Sequence, residues 1–248
     1  MGRYFLEVYY KGTRYAGFQV QDNAVTIQSE VEKVLAIYFR EPIGLTGSSR
    51  TDTGVHARQN YFHFDTGLPI PEKAIYNLNA MLPGDIAIRA IIPVGPSAHC
   101  RFDALAREYE YSIYRAKDPF LADRAYFYPY TLDITALQEA AGMIMEYTDF
   151  TSFAKRNSQV KTFQCRILHS AWEQREGHWV YRVKANRFLR GMVRGLVGTM
   201  LQVGRGKITT AGFRDIIAVK DCTAADFSVP GHGLLLVQVE YPALYFER

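Results

Sequence analysis

Arg50, Thr51 and Asp52 stand in the middle of Gly47-Ser48-Ser49-Arg50-Thr51-Asp52-Thr53-Gly54-Val55-His56-Ala57, a segment crowded with small and turn-forming residues. Gly, Ser, Thr and Asp are what any tight connection uses, so a plain turn is one reading. Length and charge give the other. The segment exceeds what a hairpin needs, and an arginine two places before an aspartate supplies a cation that holds a carboxylate ionised and oriented. A carboxylate placed in this way is a candidate catalyst.

Few other residues compete for chemistry. His56, His63, His99, His169, His178 and His232 show no HxxxH or His/Cys pairing at ligand spacing, so no metal is expected; His56 and His99 read as structural donors. Gly204-Arg205-Gly206-Lys207 lacks phosphate-loop spacing and follows a helical pattern, so it reads as a helix end. Tyr109, Tyr111 and Ile113 share one face at strand spacing, where core packing is the default. Arg194 sits beside Met192 and Val193 on an apolar helix, where an arginine ordinarily snorkels to the surface.

The elements that must carry these residues follow from periodicity. Tyr4, Leu6, Val8 and Tyr10 alternate on a strand. Thr26 caps a helix whose apolar positions Ile27, Val31, Val34, Leu35 and Tyr38 recur every three or four residues, ending near Arg40 to Pro42. Strands over 43–48 and 59–65, a helix over 72–82 opened by Pro71 and a strand over 86–94 complete a β-α-β-β-α-β order. The second half repeats it: a strand over 107–115, an Asp133-capped helix over 134–147, strands over 163–173 and 178–185, an amphipathic helix over 188–203 and a last strand over 234–241, with an extra helix near 210–219. The pattern predicts an α+β protein of two ferredoxin-like units with antiparallel sheets, residues 1–100 and 101–248, flanking a basic active-site cleft.

Composition bounds the rest. The 248 residues are 48% hydrophobic, 22% charged and 14% aromatic, which excludes disorder. Three cysteines without CxxC spacing offer neither a disulfide framework nor a thiolate zinc site, so a reducing, cytoplasmic compartment is expected. A charge interrupts the N-terminus before any signal-length apolar run, and no stretch approaches the roughly 20 apolar residues of a membrane span, so a soluble, unprocessed chain is expected. The total charge of +4 is small, but its placement is uneven: from Lys155 to Arg214, 13 Lys and Arg face only Glu173 and Glu176, a local balance of +11. Interleaved with Phe153, Phe163, Trp179, Tyr181 and Phe188, this density points to a phosphate-binding surface in which Lys155, Arg156, Lys161, Arg187 and Arg190 are candidate contacts.

The segment around Asp52 resembles the Arg-Thr-Asp-Ala-Gly-Val-His-Ala motif of the tRNA pseudouridine synthase A (TruA) family, and the likeness runs through nearly the whole chain in order. Tyr10, Gly12, Tyr15, Gly17, Gln19 and Gln21 are similar to the family's first strand and loop, and Thr26-Ile27-Gln28 to its first helix. Asn79, Leu82-Pro83 and Asp85-Ile86 follow, then His99, Arg101-Phe102, Ala104, Arg107, Tyr109 and Tyr111, then Asp149-Phe150-Thr151-Ser152-Phe153. Met192-Val193-Arg194, Val197-Gly198-Thr199, Val203-Gly204, Pro230, Gly233-Leu234 and Leu236 continue the match. Ser48, Ser49, Thr53, Phe18 and Cys100 depart from the family's usual Ala, Gly, Ala, Trp and Ala.

The resemblance implies that Asp52 is the catalytic carboxylate, that Arg50 helps open the RNA and supports it, that Tyr109 packs on the target uracil and takes part in proton movement, and that Arg194 reaches the carboxylate. Leu234 is implied to line the site. It further implies a homodimer without cofactor or metal acting on the anticodon arm of tRNA, at positions 38 to 40. The chemistry asks for such residues: the bond from N1 to C1′ breaks, the uracil rotates, and C5 joins C1′. A carboxylate can serve as nucleophile at carbon or as base toward a ribose proton, while an aromatic face holds the loosened base. The uridine must first leave its stack, and a cation filling the vacated place is a sensible device. Two other classes share part of this pattern. A tandem RNA-binding module shares the element order but requires an aromatic motif that is absent, and a glycosidase requires a second acid beside Asp52.

Overall fold

Strand formers alternating from the first residues build β1 (Gly2–Tyr10), which buries Phe5, Leu6, Val8 and Tyr10 in the computed structural model of the chain; residues 1–156 and 160–246 are described. β1 lies between β3 (His56–Thr66) and β4 (Ile86–Val94), antiparallel to both, with Leu6 opposite Phe62 on one side and Ile91 on the other. Helix α1 (Ile27–Phe39) begins as its sequence requires. The Thr26 side chain accepts the Ser29 N–H, and Ser29 returns the bond to the Thr26 backbone. Its buried face, Ile27, Val31, Val34, Leu35 and Phe39, is the expected apolar set with Phe39 in place of Tyr38. Of the strand expected over 43–48 only β2 (Thr46–Gly47) forms, paired with His63 and Phe62. Leu45 is held by α1 instead: its N–H donates to Glu32 Oε1, and its carbonyl accepts Gln28 Nε2. Helix α2 (Ala74–Met81) stands where Pro71 announced one.

In the second half, β5 (Ala106–Tyr114) pairs antiparallel with β8 (His178–Ala185), and β8 with β7 (Ile167–Arg175). A two-residue strand, β6 (Tyr126–Phe127), lies parallel against the end of β5 and was not expected. Helix α3 (Ile134–Met143) starts on the Asp133 carboxylate, which accepts the Ala136 N–H, and tightens into a 3-10 turn at Ile144–Glu146. β7 starts later than residue 163 because that stretch pairs elsewhere: Phe150 N–H donates to Phe163 O and Cys165 N–H to Thr148 O. Helix α4 (Met192–Gly204) starts four residues later than the apolar pattern, since Gly191 before it has φ +73°, a left-handed geometry that ends the preceding loop. Helix α5 (Thr210–Ala218) and β9 (Leu234–Glu240) follow.

The contacts divide the chain into two compact α+β units, Met1–Leu105 with Leu236–Arg248, and Ala106–Leu235. The first carries the strand order β4-β1-β3-β9, the second β5-β8-β7. The closing strand, expected to finish the second unit, thus lies from Leu236 onward with the first. The bonds explain this: Val239 N–H donates to Gln59 Oε1, and the Tyr241 hydroxyl to Ser48 Oγ.

Candidate active site

Asp52 belongs to the first unit, and the loop that carries it is built on buried bonds. The Tyr10 hydroxyl and Thr51 Oγ1 lie 2.8 Å apart, and Asn60 Nδ2 donates to both Ser49 O, at 2.8 Å, and the Tyr10 hydroxyl, at 3.2 Å. Phe18 N–H donates to Thr51 O, Val55 N–H to Asp52 O, and Gly12 N–H to His56 Nδ1. His56 thus accepts through Nδ1. Thr51 on one side is buried and Val55 beyond is buried, while the Asp52 side chain between them stays half-exposed. A polar, buried frame beneath one half-exposed aspartate is more order than a plain turn needs. Arg50 is exposed and lines a small open pocket of about 110 Å³ with Phe18, Gln19, Gln28, Leu45, Thr46 and Gly47. Asn60, wholly buried on the apolar face that also carries Phe62 and Phe64, was missed as a site residue. A polar side chain in that alternation was the available signal.

The frame is anchored on its outer side by charge. Arg14 Nε donates to Asp85 Oδ2 at 2.6 Å and the Tyr15 hydroxyl to Asp85 Oδ1 at 2.6 Å. The guanidinium holds the Asp85 carboxyl below its ordinary range against the opposing effect of burial. Burial and that carboxylate push the Tyr15 phenol up to about 12.

Tyr109, Arg194 and Leu234 belong to the second unit. Tyr109 shares the face of β5 with Tyr111 and Ile113, but those two are wholly buried while Tyr109 is half-exposed, its ring edge-on to Phe188 at 5.1 Å. Arg194 neither snorkels away nor stands loose: Nε donates to Val229 O at 2.8 Å and Nη2 to Phe227 O at 3.3 Å. Leu234 is buried directly after a 3-10 turn, Gly231–Gly233.

A family model described as tRNA pseudouridine synthase matches residues 7–103 and 147–242, and tRNA pseudouridine synthase A of Parabacteroides distasonis is 46% identical over 248 residues, 99% of this chain and 98% of that protein. The chain belongs to the tRNA pseudouridine synthase A family. The proteins of the same name from Porphyromonas gingivalis, 42% identical over 99% of this chain and 100% of theirs, and Staphylococcus aureus, 34% identical over 96% and 90%, agree. The chain is an enzyme, an isomerase of the pseudouridine synthase class. Three of its departures from the family's usual residues are accommodated: Phe18 stacks on Phe62 at 4.5 Å, Ser48 is bonded by Tyr241, and the Cys100 thiol donates to Thr46 O.

The cationic stretch is less one-sided in space than in sequence. Arg175 pairs with Glu110 and Glu173, Arg182 with Glu108 and Arg214 with Glu146, and three of those acids lie outside the stretch. Lys155, Arg156, Lys161 and Arg190 are exposed and Arg187 is half-buried. Lys155 N–H donates to Arg190 O at 2.9 Å, so the two sequence-distant groups of cations meet. Residues 157–159 of the stretch lie outside the described residues.

Folding also gathers His63, His99 and Cys100, whose donor atoms fall within 4.8 Å of one another, although their spacing gave no sign of it. Their bonds are those of a structural cluster. His63 Nδ1 accepts the Cys100 N–H, and His99 Nδ1 accepts the N–H groups of Arg101 and Phe102. A metal-bound imidazole instead donates from its second nitrogen, so the bonds of His99 are the reverse of what a ligand would make. The cluster ties the loop at 98–103 to β3.

Proposed function

We propose that this enzyme isomerises uridine to pseudouridine in the anticodon stem-loop of tRNA, at positions 38 to 40, with Asp52 as the essential carboxylate. The observation that carries the reading is the buried frame of Tyr10, Asn60, Thr51 and Ser49 presenting that one half-exposed acid. Such preorganisation is what a group acting at a single ribose carbon requires. Arg50, exposed beside it, is the cation that takes the place of the flipped nucleotide. The family resemblance assigns Tyr109 to the loosened uracil, Leu234 to the lining of the same base and Arg194 to the support of the carboxylate. The reaction is redox-neutral and draws on no group donor, so no cofactor is assigned. The repeated β-α-β-β-α-β order supports a duplicated ferredoxin-like architecture, and we assign the enzyme to the cytoplasm as a homodimer.

The decisive experiment is tritium release from tRNA labelled at uridine C5, because forming the C5 to C1′ bond liberates that hydrogen. Release from transcripts bearing uridine at positions 38 to 40, and its loss when those uridines are replaced by cytidine, is the expected result. Release that persists after the replacement would place the substrate uridine elsewhere, and no release from any tRNA would remove the reading.

A further inference from the structure

We propose that Tyr111 and Gly233 are positioning residues for the isomerisation, fixing where the turn at 230–234 delivers Leu234 relative to Tyr109. The inference rests on the reading above that Tyr109 and Leu234 meet the uracil. Tyr111 is wholly buried, and its hydroxyl donates to Pro230 O at 2.8 Å. The turn passes close against the hydroxyl end of that ring: a Cβ on Gly233 would stand 2.6 Å from Tyr111 Cζ and 2.9 Å from its hydroxyl oxygen. The carbonyls just before are held as well, Val229 O and Phe227 O by Arg194 of α4. Asp226, where the segment begins, donates its N–H to Thr199 Oγ1 and accepts Gln202 Nε2, both from α4. These supports come from α4 and from β5, and Leu234 follows the last of them.

Tyr109 stands on the same face of the same strand, two residues before Tyr111, and β5 is locked in register with β8, Tyr109 opposite Val183 and Tyr111 opposite Tyr181. One rigid strand thus carries both the half-exposed ring and the anchor of the turn that leads to Leu234. Packing alone would call for a large aromatic at position 111. It would not call for a hydroxyl bonded to this turn, nor for a residue without a side chain against the ring. Misplacing a group at a reacting centre by about 1 Å can cost about 100-fold in rate, so a loosened turn should be read in the chemical step.

Tyr111→Phe keeps the ring and removes the bond; Gly233→Ala keeps the hydroxyl and lifts the turn. For both, the melting temperature, the tRNA dissociation constant and the single-turnover rate of tritium release at saturating enzyme are to be measured well below the melting range. We expect tRNA binding within about threefold of wild type and a single-turnover rate lower by about tenfold or more for Tyr111→Phe, with Gly233→Ala slower still. If Gly233→Ala does not fold, Tyr111→Phe decides. A lowered melting temperature with a wild-type single-turnover rate means packing only and overturns the inference while leaving the proposed function standing. Wild-type enzyme that releases no tritium would take down the function and this inference together.

Discussion

Asp52 is half-exposed between the buried Thr51 and the exposed Thr53, and the loop beneath it is held by the bonds of Tyr10, Asn60 and Thr51. Asp52→Asn keeps size and shape but removes the charged oxygen. We expect it to abolish tritium release while tRNA affinity stays within a few-fold, and near-wild-type release would end the assignment of Asp52 as catalyst. Tyr109 makes a different test, because its ring and its hydroxyl are separable. Tyr109→Phe retains the edge contact with Phe188 and the stacking area, so a rate loss far larger than any binding loss is expected if the hydroxyl moves a proton. Tyr109→Leu removes the stacking surface as well and should be slower again; equal single-turnover rates in all three proteins would reduce Tyr109 to packing.

The elements that hold the catalytic loop can be tested through the loop's closest approach. Gly12 opens a 3-10 turn whose backbone passes so near the loop before β3 that an added Cβ would stand 2.0 Å from Val55 O. Backbone is the obstacle, so no side chain can swing aside, and the turn carrying the Gly12 N–H to His56 must shift. Gly12→Ala is expected to destabilise by about 1–3 kcal/mol in urea unfolding, as overpacking does, and to slow the reaction. Gly44→Ala, with open space around the added carbon, should stay within about 0.5 kcal/mol. The Arg14, Asp85 and Tyr15 group adds a pH dependence whose sign is fixed. The Arg14 guanidinium lowers the Asp85 pKa in the folded protein, so the unfolded chain binds the proton more readily. Stability from this pair is complete above the ordinary carboxylate pKa of about 3.9 and is lost as pH falls through the lower folded value. Asp85→Asn should therefore lower the melting temperature at pH 7 and flatten its fall in acid; an unchanged acid limb would show the ion pair to be inert.

At the scale of the whole molecule the question is where a folded tRNA docks. Lys155, Arg156 and Lys161 lie at the start of the cationic stretch and Arg187 and Arg190 further along it, joined through the bond from Lys155 N–H to Arg190 O. Each phosphate neutralised on B-form DNA contributes roughly 0.9 to the slope of log affinity against log salt, and a tRNA should behave similarly in kind. Replacing the five by alanine should weaken tRNA binding and flatten the salt slope while sparing turnover at saturating tRNA. Unchanged affinity and slope would make the stretch a solvated face. The linear count of +11 leaves out Glu108, Glu110 and Glu146, which other elements bring to Arg182, Arg175 and Arg214. What the sequence determined by itself was whatever depends on neighbours along the chain. The 3.6-residue period of Ile27 to Phe39, the Thr26 and Asp133 caps, the strand alternation and the ordered motifs around Asp52 yielded the elements and the family. Tertiary structure decided what depends on residues far apart. It brought Asn60 and Tyr10 beneath the Asp52 loop, returned β9 from Leu236 on to the first unit, turned the Arg194 guanidinium onto Phe227 and Val229, and set Gly233 on the ring of Tyr111. Local propensity is felt over a few residues, whereas a buried polar group can be satisfied by any partner the fold delivers, and that choice is written only in three dimensions.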